Sequence, residues 1–350
     1  MNATYPGTTN LGKCVLVTGA GGCIGSALAE ALCSHDGRQL ILLDHSEQNL
    51  YEISMRLTAL RRGWYAAILG DILDGALLEE IFERHRPDTI YHAAAFKHVP
   101  LMESNPLAVV RNNAIGTWEL AKSAARFGVE RLLMISTDKA VNPRSVMGAS
   151  KRVAELALLR MSNSKTRMNA VRLGNVLGSQ GSVAPLFQLQ IAQGGPVTVT
   201  HPEARRYFLT LGETVEIILA AISLNESGCI LVPKMSAPVK ILDLAKRMIE
   251  EAGLQTPRDV SIAFTGLRPG DKLEEELVSA QESLAPTSEE RLRRVQGVPT
   301  GAEKLDSAMG RIAAGVIERN LTAVIDELGK LVPEYQPSEV LLGLLNPSLA

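Results

Sequence analysis

The side chains with the most chemistry to offer stand together near the middle of the chain. Thr137-Asp138-Lys139 places a hydroxyl, a carboxylate and an amine in succession, and Met147-Gly148-Ala149-Ser150-Lys151 follows shortly after. The apolar run Arg131–Ile135 before them reads as a buried parallel strand, and a helix is predicted to start near Val146. In an open α/β sheet, ligands bind at the carboxyl ends of the strands, so these groups lie where protons could be moved on a bound molecule. Four residues separate Met147 from Lys151, which puts both on one helix face. The plainer reading of Asp138-Lys139 is an ion pair at a strand end.

The elements that must position these groups follow a β-α alternation. Lys13–Val17 reads as a first strand, followed by Thr18-Gly19-Ala20-Gly21-Gly22-Cys23-Ile24-Gly25 and a helix over Ile24–Cys33. Gly19, Gly22 and Gly25, with Cys23 and Ile24 in the same turn, let the backbone approach a pyrophosphate at the helix N-terminus. A second strand, Gln39–Leu43, ends in Asp44, where a carboxylate can bind the ribose hydroxyls of an adenosine. That carboxylate repels a 2′-phosphate, so NAD is the expected cofactor; His45 and Ser46 could touch such a phosphate, which keeps NADP as the alternative. Asp71, beside Ile72, is placed to meet the adenine amino group. A fourth strand is expected over Thr89–Ala95, where Ala93, Ala94 and Ala95 leave room for a flat dinucleotide. Lys97 and His98 then leave the sheet towards the site, the alternative being a solvated loop. A long helix over Pro106–Phe127 carries Asn112 and Asn113.

The predicted fold is therefore α/β: a Rossmann-type doubly wound parallel sheet with a smaller C-terminal α/β lobe. Residues 1–173 would form the nucleotide-binding domain. Residues 174–299 would form the substrate lobe, with provision for the chain to cross back, and 300–350 a helical extension. Regular β-α alternation is expected to stop after a strand at Arg167–Leu173. Arg205, Arg206 and Arg268 could grip a diphosphate through bidentate hydrogen bonds, against a plain reading as surface charge. With 350 residues and a net charge of -2, the chain has material for a large core and no basic surplus for nucleic acid or an anionic membrane. Cys14, Cys23, Cys33 and Cys229 lack metal-ligand spacing and read as reduced thiols, and no metal is expected. No signal peptide is visible in Met1–Asn10, and the longest apolar run, Ile217–Leu224, is too short for a bilayer, so a soluble cytoplasmic protein is expected.

Taken together, Gly19/Gly22/Gly25, Lys97-His98-Val99-Pro100, the Met147–Lys151 pair, Arg172-Leu173-Gly174-Asn175-Val176, Arg206-Tyr207-Phe208 and Leu267-Arg268-Pro269-Gly270 carry a resemblance. The chain resembles the extended short-chain dehydrogenase/reductase superfamily. Within it, the match is to the polysaccharide-biosynthesis branch of nucleotide-sugar 4,6-dehydratases acting on UDP-N-acetylglucosamine. The resemblance runs from about Leu11 to Val278. Met147 stands where the superfamily usually has tyrosine, as in one subgroup of these dehydratases. Many of that subgroup also carry an N-terminal membrane region, and this chain reads as a soluble version of the catalytic domain.

The resemblance implies oxidation at sugar C4, loss of water across C5 and C6, and return of the hydride to C6. The catalytic set would be Thr137, Asp138, Lys139, Met147 and Lys151. Asp138 would protonate the departing C6 hydroxyl and Lys139 would take the C5 proton. That requires a protonated acid and a neutral amine, far from ordinary values of about 3.9 and 10.4. Burial is expected to push both in those directions, with Lys151 disfavouring a second ammonium. A thioether cannot act as a base, so Thr137 would relay the C4 hydroxyl proton, Lys151 would hold the nicotinamide ribose and Met147 would shape the pocket. Lys97, His98, Asn175, Arg205, Arg206 and Arg268 would bind the UDP-sugar. A homo-oligomer packed through helices of the nucleotide domain is expected, with a downstream aminotransferase as a further partner in surface glycan synthesis. The alternatives are a C5-inverting dehydratase or nucleotide-sugar epimerase and, from another class, an NAD-binding sensor without turnover.

Overall fold

The computed structural model describes residues 11–34, 37–60, 64–163, 165–179, 181–297 and 302–346. The chain begins with the alternation β1 Cys14–Thr18, α1 Cys23–Cys33, β2 Gln39–Asp44, α2 Glu47–Leu60, β3 Trp64–Leu69, α3 Gly75–His85 and β4 Thr89–His92. Two short helices, α4 Val99–Glu103 and α5 Pro106–Val109, lead through a π-helical turn at Val110–Ile115 into α6 Gly116–Phe127. Then come β5 Arg131–Thr137, a 3-10 turn at Asp138–Ala140, α7 Val146–Met161 and β6 Arg167–Leu173. Beyond β6 lie β7 Asn175–Val176, α8 Val183–Ala192, β8 Val197–Val199, β9 Arg205–Arg206, β10 Phe208–Leu209, α9 Leu211–Ser223 and β11 Ile230–Pro233. The last part comprises β12 Val239–Lys240, α10 Ile241–Glu251, β13 Ile262–Phe264, β14 Ser283–Pro286, β15 Leu292–Gln296, α11 Ala302–Ile317, α12 Leu321–Leu331 and α13 Glu339–Leu345.

Nine strands form one sheet in the order β14-β15-β11-β6-β5-β4-β1-β2-β3. All its pairings from β3 through to β11 are parallel, and β15 and β14 are added antiparallel. Helices cover both faces, which is why the central strands are apolar at successive positions. Val15 and Val17 enter one core with Leu40 and Leu42, whereas Leu16, Ile41 and Leu43 enter the other. The alternation of side chains along each strand thus feeds two helical layers.

Three expectations are corrected here. Regular alternation does not end at Leu173: α9 leads into β11, which pairs parallel with β6, and β15 and β14 extend the same sheet. Residues 174–299 therefore include strands of the main sheet as well as the smaller cluster built from α8, α10 and β8. The fourth strand stops at His92, because the glycine turn after β1 packs against the backbone of Ala93 and Ala94. The helix expected over Pro106–Phe127 is interrupted by the π turn that holds Asn112 and Asn113.

The C-terminal helices lie against α7. Leu305, Met309 and Ile312 of α11 and Val324 and Leu328 of α12 share a cluster with Met147 of α7. Every residue of α7 from Val146 to Glu155 is buried. No helix among the described residues is long and apolar enough to cross a membrane.

Candidate active site

The glycine turn is a cradle built by close approach. At Gly19 (φ 65°) a Cβ would lie 2.6 Å from the amide nitrogen of Ala94, and at Gly25 it would lie 2.1 Å from the carbonyl oxygen of Gly19. A side chain at either position would push the turn away from the strand ends and fill the approach to the α1 N-terminus. Gly22, Cys23 and Ile24 complete the turn as half-buried residues. Asp44, at the end of β2, accepts from the Gly21 amide through Oδ2 at 2.8 Å and from the Ser46 amide through Oδ1 at 2.9 Å. Each oxygen keeps a second lone pair for a hydroxyl group. His45 is exposed and sits edge-on to Phe96, with ring centroids 6.1 Å apart. Asp71 caps the following turn by accepting from the Leu73 amide at 3.0 Å, beside buried Ile72. Ala93, Ala94 and Ala95 follow β4 on the same rim, half-buried to exposed.

The acid–base groups meet where β5 ends. Thr137 donates from Oγ1 to Asp138 Oδ1 at 2.9 Å, and Lys139 donates from Nζ to the same oxygen at 3.0 Å. Lys139 also donates to Asn175 Oδ1 at 3.2 Å, which brings Asn175 to the Asp138–Lys139 pair. Asp138 is fully buried, and its Oδ2 is buried without a hydrogen-bond partner among the described residues.

The expected charge state of Lys139 is reversed. Burial alone would lower its pKa, but Asp138 and then Glu275, 3.4 Å from Nζ, outweigh it and raise the value. The cation opposing them is Arg206, not Lys151 as expected. Lys139 is therefore an ammonium at rest, which fits the ion-pair reading as well as the catalytic one.

Lys151, expected to hold the nicotinamide ribose, is a buried amine. It is 3 % exposed, and burial lowers its pKa to about 8 against the opposing charge of Glu155. Close by is His92, which burial and the charge of Lys151 bring down to about 3, so its ring is neutral. Thr117 donates to the Asn113 carbonyl at 2.6 Å and so accepts from His92 Nε2 at 2.9 Å, leaving Nδ1 to accept from Thr18 at 2.7 Å. These bonds fix the ring's tautomer. Met147 is 3 % exposed inside the apolar cluster with Val99 and Met102, consistent with a shaping role.

Asn113, fully buried, was legible only as a polar residue in a helix. Its Oδ1 accepts from the Phe96 amide at 2.8 Å, and its Nδ2 donates to the Phe96 carbonyl at 3.0 Å and to Ser150 at 3.2 Å. The π turn thereby ties the loop carrying Lys97 and His98 to α7, and such turns recur at functional sites. Lys97 and His98 are exposed, and His98 is depressed by burial and then by the charges of Lys97 and Arg268, which places a neutral imidazole and two cations in one region. A Cβ at Gly181 would lie 2.4 Å from His98 Cε1, so the glycine-rich segment after β7 rests on that ring.

The arginines divide. Arg268 is largely exposed and bonds Asp271 through Nε at 2.8 Å. Arg205 is half-buried, with its backbone amide on Leu273 O at 2.9 Å. Arg206 is corrected from a diphosphate grip: it donates to the carbonyls of Lys272 at 2.8 Å, Leu273 at 3.2 Å and Arg205 at 2.7 Å, and it faces Glu275 at 3.6 Å. Its donors are spent inside the protein. Among the described residues no group of three or more His, Cys, Asp or Glu side chains is arranged to hold a metal.

Comparison with known proteins gives this geometry a setting. Residues 15–297 match a family model described as polysaccharide biosynthesis protein. The capsular polysaccharide biosynthesis protein CapD of Staphylococcus aureus is 48 % identical over 274 residues, which cover 77 % of this chain and 46 % of CapD. The chain thus spans about half the length of that relative. A UDP-glucose 4-epimerase of Rickettsia canadensis is 32 % identical over 278 residues, 77 % of this chain and 79 % of the epimerase. Among solved structures, Pen from Bacillus thuringiensis superposes with a TM-score of 0.73 at 30 % identity, covering 83 % of this chain and 89 % of Pen. The match reaches from β1 to just past β15, and the chain belongs to the polysaccharide biosynthesis protein family, within the extended short-chain dehydrogenase/reductases.

Proposed function

We propose that this chain is an NAD-dependent nucleotide-sugar 4,6-dehydratase that converts UDP-N-acetylglucosamine to the UDP-4-keto-6-deoxy sugar. The observation that carries the reading is the buried Asp138–Lys139 contact at the end of β5, on the same rim as the glycine cradle. An acid and a base side by side are what removal of water across two neighbouring carbons requires. A charge-neutralising step is built into the pair. Moving one proton across the 3.0 Å contact from Lys139 to Asp138 turns the resting ion pair into a neutral amine and a carboxylic acid, the two forms elimination needs.

The residues at the cradle fit a dinucleotide, because both glycine approaches would be filled by a Cβ and Asp44 ends the next strand. Gly19, Gly22 and Gly25 would hold the pyrophosphate, Asp44 the adenosine ribose, Asp71 the adenine and Lys151 the nicotinamide ribose. Bound NAD supplies a hydride acceptor for C4 and the same hydride for C6. Thr137 relays the C4 hydroxyl proton to solvent, since a neutral hydroxyl cannot keep a second proton, and a solvent proton replaces it on the pair when Lys139 reprotonates C5 at the end of the cycle. Lys139 removes the proton that the ketone has acidified at C5, and Asp138 gives its proton to the C6 hydroxyl as water leaves. Lys97 and Arg268 supply positive charge for the diphosphate of the UDP-sugar, and His98 between them supplies a hydrogen bond. The 4-ketone product is a substrate of the kind an aminotransferase consumes, which fits use in surface glycans.

Similarity to a UDP-glucose 4-epimerase keeps a second reading in play. Epimerisation at C4 needs oxidation and re-reduction at one carbon and has no use for an acid–base pair at C5 and C6. The test is incubation of the purified protein with UDP-N-acetylglucosamine in deuterated water, read by mass spectrometry and proton NMR. A product lighter by one water, with a 6-methyl signal and deuterium at C5, supports the dehydratase, and ring couplings then separate retention from inversion at C5. An unchanged mass with altered couplings moves the reading to epimerase. No change with NAD bound rejects the substrate.

A further inference from the structure

Glu275 is drawn to the catalytic pair by the segment that carries it. Residues 273–274 run alongside β9: the Arg205 amide donates to Leu273 O at 2.9 Å, and Arg205 bridges to Glu274 in parallel fashion. This sets the Glu275 carboxylate, 3 % exposed, between two cations. Its Oε1 lies 3.4 Å from Lys139 Nζ and 3.6 Å from Arg206 Nε, while Oε2 is buried without a hydrogen-bond partner among the described residues. Arg206 is fixed independently by the backbone carbonyls it donates to. A buried carboxylate with an unsatisfied oxygen is expensive unless charge nearby compensates, and here that charge includes the catalytic lysine.

We propose that Glu275, anchored on Arg206, is a positioning residue for Lys139 that supplies the counter-charge for the ammonium formed while Asp138 still holds its proton. The catalytic half of this rests on the dehydratase reading, whereas the charge pairing does not. In the proposed reaction the lysine amine takes the C5 proton, and the C5–H electron pair passes into the enolate of the 4-ketone. The pair then forms the C5–C6 double bond as the C6–O bond breaks, and the hydroxyl leaves with the Asp138 proton as water. Between those two events Asp138 is neutral, and Glu275 is the carboxylate facing the new ammonium. The other charged groups facing it are Arg206 and Lys272, the latter also paired with Glu276.

The experiment is an NMR titration of the Lys139 side chain in the full chain labelled with ¹³C-lysine and free of substrate, assigned by its loss in Lys139→Arg. Glu275→Gln should lower the Lys139 midpoint by roughly one to three units, the range for losing one adjacent opposite charge. Arg206→Gln should move it upward, because the opposing cation is gone. A residue that only held the fold together would not move one titration in two directions, so an unmoved midpoint in a folded Glu275→Gln, or a shift of the same sign in both variants, overturns the proposal. In deuterated water with UDP-N-acetylglucosamine, the alkaline limb of deuterium entry at C5, where the pair loses its shared proton, should move to lower pH in Glu275→Gln by the same amount as the Lys139 midpoint, and Glu275→Asp should move it part of the way back. Should the wild type leave UDP-N-acetylglucosamine unchanged, the functional reading fails while the titration still decides the pairing.

Discussion

Lys151 keeps an amine where water barely reaches, and its ionisation should show in the protein's stability. With the folded value lowered to about 8 by burial, the folded and unfolded chains both carry the charge below that pH, and the folded state bears its full desolvation. From about pH 8 up to the unfolded value near 10.4, the unfolded chain binds more protons, so this residue's contribution to stability rises with pH across that window. The span is roughly 3 kcal/mol for a shift of this size. Urea unfolding of the wild type and Lys151→Met at about pH 7.5 and about pH 10 should show the variant's relative advantage shrinking as pH rises. A constant difference would reject the lowered value. Met147 allows a different prediction. Its side chain lies in apolar packing, so Met147→Leu should cost under about 1.5 kcal/mol and leave turnover within a few-fold. On the proposed dehydratase reading, Asp138→Asn should abolish formation of the 6-methyl product seen by NMR, because a carboxamide N–H is far too weakly acidic to protonate the C6 hydroxyl. Loss of turnover in Met147→Leu with the fold intact would assign the thioether more than a space-filling part. What the sequence revealed about these residues depended on distance along the chain. The glycine turn, Asp44 and the Met147–Lys151 spacing sit within single β-α units, where local geometry decides contact. The ammonium state of Lys139 and the buried partners of Arg206 depend on a segment far downstream, which no local spacing announces.

At the scale of elements, α7 is held in place by charge as well as by apolar packing. Arg172 of β6 donates to both oxygens of Glu155 at 2.9 Å and to Glu282 at 2.8 and 3.0 Å, and Arg152 joins the same two carboxylates at 3.0 and 3.2 Å. Ser136, on β5, donates to Glu155 at 2.7 Å. The network therefore locks the helix bearing Lys151 to two strands and to the segment before β14. Burial would raise the Glu155 pKa, but the charge and hydrogen bonds of Arg172, with Arg152 and Ser136, bring it down to about 2. Its stabilising contribution is present above the unfolded value near 4.5 and is lost as pH falls from there towards 2. Glu155→Gln should cost about 3–5 kcal/mol at neutral pH, since it strands buried guanidinium groups, and the gap to wild type should narrow on acidification. Equilibrium denaturation at neutral pH and near pH 3 checks both parts, and a gap that widened in acid would contradict the sign. The alternation that built β1 to β6 was readable because each strand and helix carries its own apolar period. The return of β11 to the sheet was not, since Ile230–Pro233 is a short apolar run whose partner only the fold selects.

For the molecule as a whole, the question is whether the C-terminal helices form an appendage or part of one cooperative body. They lie beyond the region matched by the family model, yet they complete the cluster that contains Met147. Polar bonds reinforce the join. Glu103 accepts from the Val146 amide at the start of α7 at 2.7 Å and from Ser338, which caps α13. The Gln336 amide donates to Pro143 O at 3.0 Å, on the loop between the Asp138–Lys139 pair and α7. Burial raises the Glu103 pKa against the pull of those two bonds, so the carboxylate sits where solvent offers it little. Leu328, in α12, is fully buried, and Leu328→Ala should cost about 2–5 kcal/mol. If α11 to α13 and the sheet unfold as one unit, that loss will move a single transition to lower temperature, with near-ultraviolet signals from the body and backbone signals from all helices falling together. An appendage would instead melt early and leave the main transition where it stands. The shared cluster and the Glu103 bonds favour the single transition.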